Sequence, residues 1–144
     1  MNGFEFNEHI AKPPKQVFDT IADLTNASKF LDNIKESKKT SAGPIGVGTT
    51  FRETRIMGGK EASTDLLVTA YEPHTHLGIS TEVEGIKVEY HYHLSPEAGG
   101  TQVRWVCELE ASGLRKMMLP MVAGIMKKED GGHLQKLKAY LESK

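Results

Sequence analysis

Hydrophobic and polar positions change their spacing three times along this chain. "FEFNEHI" alternates, so Phe4, Phe6 and Ile10 mark a first strand. Beyond Pro13 and Pro14, which suit a strand exit and a first helical turn, Val17, Phe18, Ile21 and Ala22 recur at helical spacing. A second short helix, capped by Thr25 or Asn26, is predicted to bury Phe30 and Leu31. From Ile34 the period becomes two and holds almost to Gly113, most cleanly in "IKVEYHYHL", Ile86 to Leu94. There Ile86, Val88, Tyr90, Tyr92 and Leu94 alternate with Lys87, Glu89, His91 and His93.

Turn residues divide that region into six strands. "AGPIGVG" reads as a loop, "MGGK" and "VEGI" as two-residue hairpins, "YEPHT" as a break at Pro73, and "SPEAGGT" as a longer loop. After Gly113 the helical period returns, with Leu114, Met117, Met118, Met121, Val122, Ile125 and Met126 on one broad face, continued by Leu134, Leu137 and Leu141. Pro120 fits a first turn or a kink, and Gly131 and Gly132 weaken the middle of this helix. Six antiparallel strands need cover for their apolar face, and one long helix is available. The expected fold is α+β: a curved, seven-stranded antiparallel sheet gripping a long C-terminal helix, with two short N-terminal helices, as a single domain over 1–144.

Composition narrows the function classes. Eighteen basic and 19 acidic side chains give a net charge of -1, and no basic stripe is present, so nucleic acid is not an expected partner. "KESKK" (Lys35 to Lys39) reads as a solvated strand edge. The single cysteine, Cys107, excludes an internal disulfide and fits a reducing compartment. The first ten residues lack the basic and apolar regions of a signal peptide. "MMLPMVAGIM" is far short of the roughly 20 apolar residues of a membrane span. Together these point to a cytoplasmic protein without stable membrane insertion.

The order of elements resembles the helix-grip superfamily of START-like lipid carriers, polyketide cyclases and birch-pollen-allergen-like proteins (SRPBCC). The residues carrying the resemblance are "IAKPPKQVFDTIADLTNASKFL", "GPIGVGTTF", "VTAYEPHTHL", "YHLSPEAGGTQVRW" and "LQKLKAYLE", spread over nearly the whole chain. The resemblance implies a cavity between sheet and helix that takes a sterol, lipid, polyketide, quinone or hormone, with cyclisation or dehydration in some members and chaperone assistance in a related branch. No catalytic signature is shared across the superfamily, so it carries no active residue onto this chain.

Register decides which face would hold chemistry. With Glu84 and Gly85 as turn residues, Val83 pairs with Ile86, Thr81 with Val88, Ile79 with Tyr90 and Leu77 with Tyr92. Matching Leu94 with Thr101 in the next hairpin sets Tyr92 opposite Val103, Tyr90 opposite Trp105 and Val88 opposite Cys107. The predicted ligand wall is therefore Leu77, Ile79, Val88, Tyr90, Tyr92, Val103 and Trp105, joined by Phe51, Leu66 and Val68. Met117, Met118, Met121 and Ile125 would close it from the helix. An ordinary core is the alternative reading of the same residues. Glu53 and Arg55 share the inward face, either lining a mouth or meeting water at the sheet edge, and Glu53 is the one acid–base candidate. Arg52 and Asp65 pair on the outside.

On the outward face His76 stands opposite His93, with His91 and His74 nearby. Imidazoles at cross-strand spacing, about 4.5 to 5.5 Å between Cβ atoms, could hold zinc. An exposed sheet face offers few groups to orient them, so a solvated histidine face is expected and no metal or other cofactor. Cys107 reads as a small buried hydrophobe, and His9 and His133 stand alone. The leading expectation is a carrier or sensor of an apolar small molecule. A cyclase or dehydratase using the same cavity, and a co-chaperone-like interaction protein, are the alternatives.

Overall fold

The computed structural model describes residues 2–144, the Met57 side chain excepted. Strand β1 (Gly3–Ile10) leads into helix α1 (Pro14–Ala22) and a 3-10 segment, Leu24–Lys29. Six strands follow: β2 (Ile34–Lys39), β3 (Thr50–Met57), β4 (Lys60–Glu72), β5 (His76–Val83), β6 (Ile86–Glu97) and β7 (Gly100–Glu110). A 3-10 turn at Gly113–Met118 then leads to α2 (Leu119–Asp130) and α3 (His133–Glu142). The strands form one antiparallel sheet in the order β1-β7-β6-β5-β4-β3-β2, so the first strand returns to pair with the last.

Local chemistry accounts for these boundaries. Pro14 starts α1, whose apolar stripe buries Val17, Phe18, Ile21 and Ala22. The following turn is capped by Asp23 rather than by Thr25 or Asn26. The Asp23 carboxylate accepts from the Thr25 amide at 3.1 Å and from the Thr25 hydroxyl at 2.6 Å. The short element is a 3-10 turn, which buries Leu24, and Leu31 is buried just beyond it. Hairpins β3–β4 and β5–β6 turn on Gly58–Gly59 and Glu84–Gly85, all four at positive φ (57°, 81°, 51° and 81°), the conformation a two-residue primed turn requires.

The β5–β6 register agrees residue by residue with the sequence reading, and Arg52 faces Asp65 across β3–β4. The β6–β7 register does not. Leu94 pairs with Val103, Tyr92 with Trp105, Tyr90 with Cys107 and Val88 with Leu109. The strands run on to Glu97 and Gly100, so most of "SPEAGGT" is strand and the pairing moves by two residues. An even shift leaves every side chain on its own face.

The C-terminal stretch is helical to Glu142 but interrupted at Gly131–Gly132. Its two helices cover two separate cores on one sheet face. Leu134, Leu137 and Leu141 of α3 pack with Ile10, Val17, Phe18, Phe51, Val68, Leu77, Leu94 and Val103. Leu119 and Ala123 of α2 pack with Phe4, Ile86, Val88, Cys107 and Leu109. Edge strand β2 carries its lysines in water, with Lys35 paired to Glu61 and Lys38 to Glu36.

Candidate functional site

Beside the first core, next to the Gly131–Gly132 break, lies a partly open cavity. Its interior volume is about 80 Å³, and about 640 Å³ is free of atoms when the open solvent at its mouth is counted. The sheet contributes Glu53, Arg55, Leu66, Ile79, Tyr90, Tyr92 and Trp105. Thr20, Ile21, Asp23, Leu24, Ala27, Phe30 and Leu31 line it from the N-terminal helical region, while Asp130 and His133 flank the glycine pair.

Trp105 is the centre of an aromatic stack. The His133 ring lies against it at 4.1 Å between centroids, with Tyr90 at 5.4 Å and Tyr92 at 5.8 Å, all near parallel. The Tyr92 hydroxyl and His133 Nε2 share a hydrogen bond of 2.6 Å. Trp105 Nε1 is buried and has no hydrogen-bond partner among the described residues.

The other end of the cavity is charged. Arg55 Nε donates to Glu53 Oε1 at 2.7 Å, and the Glu53 side chain is only 9% exposed. This ion pair resolves the choice between mouth and edge: the two groups are turned inward and satisfy each other. Asp130 stands beside them. Burial lifts its carboxyl to about 6, Arg55 opposes the rise, and Glu129 and Glu53 add to it. Burial also pushes the His133 imidazole down to about 3, helped by Arg55 and Lys136, so this ring is neutral at physiological pH. The Tyr90 and Tyr92 phenols are raised by the same desolvation and stay protonated.

Several sequence expectations need correction. Met117, Met118, Met121 and Ile125 do not line the cavity but face solvent, because α2 turns Leu119 and Ala123 to the sheet and that stripe is already filled. Val88 lies under α2 in the second core. Phe51, Val68, Leu77 and Val103 are fully packed in the first, out of reach of the cavity. His133, read from sequence as isolated, is instead central. Asp130 went unnoticed in the charged run "KKED". Cys107 is buried, with its thiol pushed up to about 12 by desolvation, so it is not a nucleophile. On the outward face His76, His91 and His93 come together. His74 does not join them, since its backbone at φ 71° directs the ring onto Phe18 instead.

Comparison with known proteins agrees with this fold. The model of a family described as polyketide cyclase / dehydrase and lipid transport matches residues 1–142. Among solved structures, Ara h 8.0201 superposes with a TM-score of 0.78 at 19% identity, covering 98% of this chain and 97% of that one. The di-domain ARO/CYC protein BexL from the BE-7585A biosynthetic pathway gives a TM-score of 0.82 at 16% identity over 99% of this chain, which spans 47% of BexL. TTHA0849 from Thermus thermophilus gives 0.76 at 16% identity, with 96% of each chain covered. No curated protein matches the sequence closely enough to count as a relative.

Proposed function

Because the chain belongs to the polyketide cyclase / dehydrase and lipid transport family, we propose that its cavity binds a flat, oxygenated ring compound of polyketide type, as a carrier or sensor. The observation that carries this reading is a cavity that is aromatic at its Trp105 end and charged at its Glu53, Arg55 and Asp130 end. An acyl chain gains little from the stacked rings and nothing from Arg55 or Asp130 along its length. A ring system bearing carbonyl and hydroxyl groups meets both, with Ile21, Leu24, Leu66 and Ile79 covering its faces.

Trp105 is the only tryptophan in the chain, so its emission reports on the cavity alone. Calorimetric titration with 1,8-dihydroxyanthraquinone and with palmitate, followed in parallel by Trp105 emission, tests the proposal. The quinone is expected to bind at least tenfold more tightly and to quench the emission. Tighter binding of palmitate would identify an acyl-chain carrier and overturn this reading.

A second reading, a cyclase or dehydratase, is favoured by Asp130. A carboxyl titrating near 6 beside the Tyr90 hydroxyl suits proton transfer at neutral pH. Glu53, the acid–base candidate read from sequence, is engaged by Arg55 and is less available for that role. On this reading Asp130→Asn abolishes turnover of a bound polyketide and keeps its affinity. Full turnover by the variant rules the reading out.

A further inference from the structure

The three outward histidines are held in a more ordered arrangement than a solvated face requires. His76 begins β5, and His91 and His93 lie two residues apart on β6, diagonally and directly opposite it. Their rings are stacked, with centroids 4.5 Å apart for His76 and His93 and 5.0 Å for His76 and His91. One ring nitrogen from each lies within 4.8 Å of the others. The His76 and His91 side chains are only 21% and 19% exposed.

Each of those two imidazoles is also anchored from behind. His76 Nδ1 meets the Glu72 carboxylate at 3.0 Å, and His91 Nε2 meets that of Glu89 at 2.7 Å. The remaining nitrogens, His76 Nε2 and His91 Nδ1, face each other at 2.8 Å. The paired rings are thus backed by a carboxylate at each end. Of the neighbouring cations, Arg104 is engaged by Glu5 at 3.1 Å, and Lys87 lies 3.7 Å from Glu89.

We infer that His76, His91 and His93 form a binding site for one divalent transition-metal ion of the zinc class, with Glu72 and Glu89 orienting two of the ligands. A carboxylate on the far nitrogen is the usual support of a metal-bound imidazole, fixing its tautomer and raising its basicity. The ion sits between His76 Nε2 and His91 Nδ1, the two nitrogens left free of carboxylates. Tetrahedral zinc with Zn–N bonds near 2.0–2.1 Å separates neighbouring ligand nitrogens by about 3.4 Å. The close His76–His91 pair therefore opens slightly, and the rings turn out of their stack so that each lone pair meets the ion. Three protein ligands leave a fourth position for water. The site clamps β5 to β6 on the face opposite Tyr90 and Tyr92, and it is independent of what the cavity binds.

The test uses untagged full-length protein stripped with a chelator and titrated with zinc chloride against a competing fluorescent zinc chelator. One ion per chain with a submicromolar Kd is expected. His93→Gln and His91→Ala should each weaken binding by about 100-fold, and Glu89→Gln by about tenfold, through loss of the His91 anchor alone. All three substitutions lie on the outward face, and unchanged circular dichroism confirms the fold. Binding only at tens of micromolar, or affinity indifferent to His93→Gln and Glu89→Gln, would identify adventitious capture by a histidine pair and overturn the inference.

Discussion

Four consecutive residues of β6, Tyr90, His91, Tyr92 and His93, face two different environments. The tyrosines enter a cavity where a neighbouring imidazole, His133, is desolvated to about 3 and held by rings. The histidines face outward, where the Glu89 carboxylate anchors His91 and the His93 ring stacks on His76. On one side polar atoms answer to burial, and on the other to charge. A pleated strand places both chemistries within one residue step, because successive side chains leave opposite faces. The inner face is where packing energy resides, and the outer face is where substitution leaves the fold intact.

The largest expected effect comes from setting Trp105→Ala against His93→Ala. Trp105 is 4% exposed and touches Phe4, Phe6, Tyr90, Tyr92 and His133. Its truncation should cost about 3–5 kcal/mol in urea unfolding. His93→Ala, on the solvated face, should change stability by no more than about 0.5 kcal/mol in the metal-free protein. Comparable losses for the two variants would show that the outer face carries packing as well, and the contrast between the faces would be lost.

Acid titration sharpens the same contrast inside the cavity. Asp130 titrates near 6 in the fold and near 3.9 when unfolded, so the native state holds more protons between those values and stability falls as pH rises through them. His133 has the opposite sign. With its folded value near 3 and an unfolded value near 6.5, its contribution is present above 6.5 and is lost as pH falls toward 3. The two slopes oppose each other from about pH 4 to 6. Asp130→Asn should remove the falling one and gain about 2 kcal/mol relative to wild type on going from about pH 4 to pH 7. His133→Phe, which keeps a ring against Trp105, should remove the rising one. Urea unfolding at the two pH values measures both, and parallel profiles for all three proteins would remove the buried pair from the account.

The inner and outer faces differ also in how far the sequence exposes them. The β5–β6 pairing is legible because Glu84–Gly85 can turn in only one way, and each pairing then follows by alternation. Glu53 and Arg55 are legible as inward by the same counting from Gly58–Gly59. His133 is not, because a single histidine between a glycine pair and "LQKLK" has no local signal. The one available clue is spacing: His133, Leu137 and Leu141 recur every fourth residue, and α3 buries Leu134, Leu137 and Leu141. Asp130 has no such clue, since its burial depends on where the chain bends after it. The carboxylates behind His76 and His91 depend on rotamers, which alternation does not specify.

The smallest expected effect concerns the helix face that periodicity assigns to the ligand. Leu114, Met117, Met118, Met121, Val122, Ile125 and Met126 cover so much of the helix circumference that spacing alone does not say which side meets the sheet. The structure turns Leu119 and Ala123 inward and leaves Met121 59% exposed, away from the cavity lining. Met121→Lys should therefore shift unfolding free energy by no more than about 0.5 kcal/mol, while Leu119→Ala costs about 2–5 kcal/mol. Affinity for the quinone probe should stay within about twofold of wild type in Met121→Lys, since one added charge on an exposed face is well screened. Loss of binding in a folded Met121→Lys protein would mean that α2 rolls its methionines onto the ligand. The cavity beside the first core would then be only half of the site.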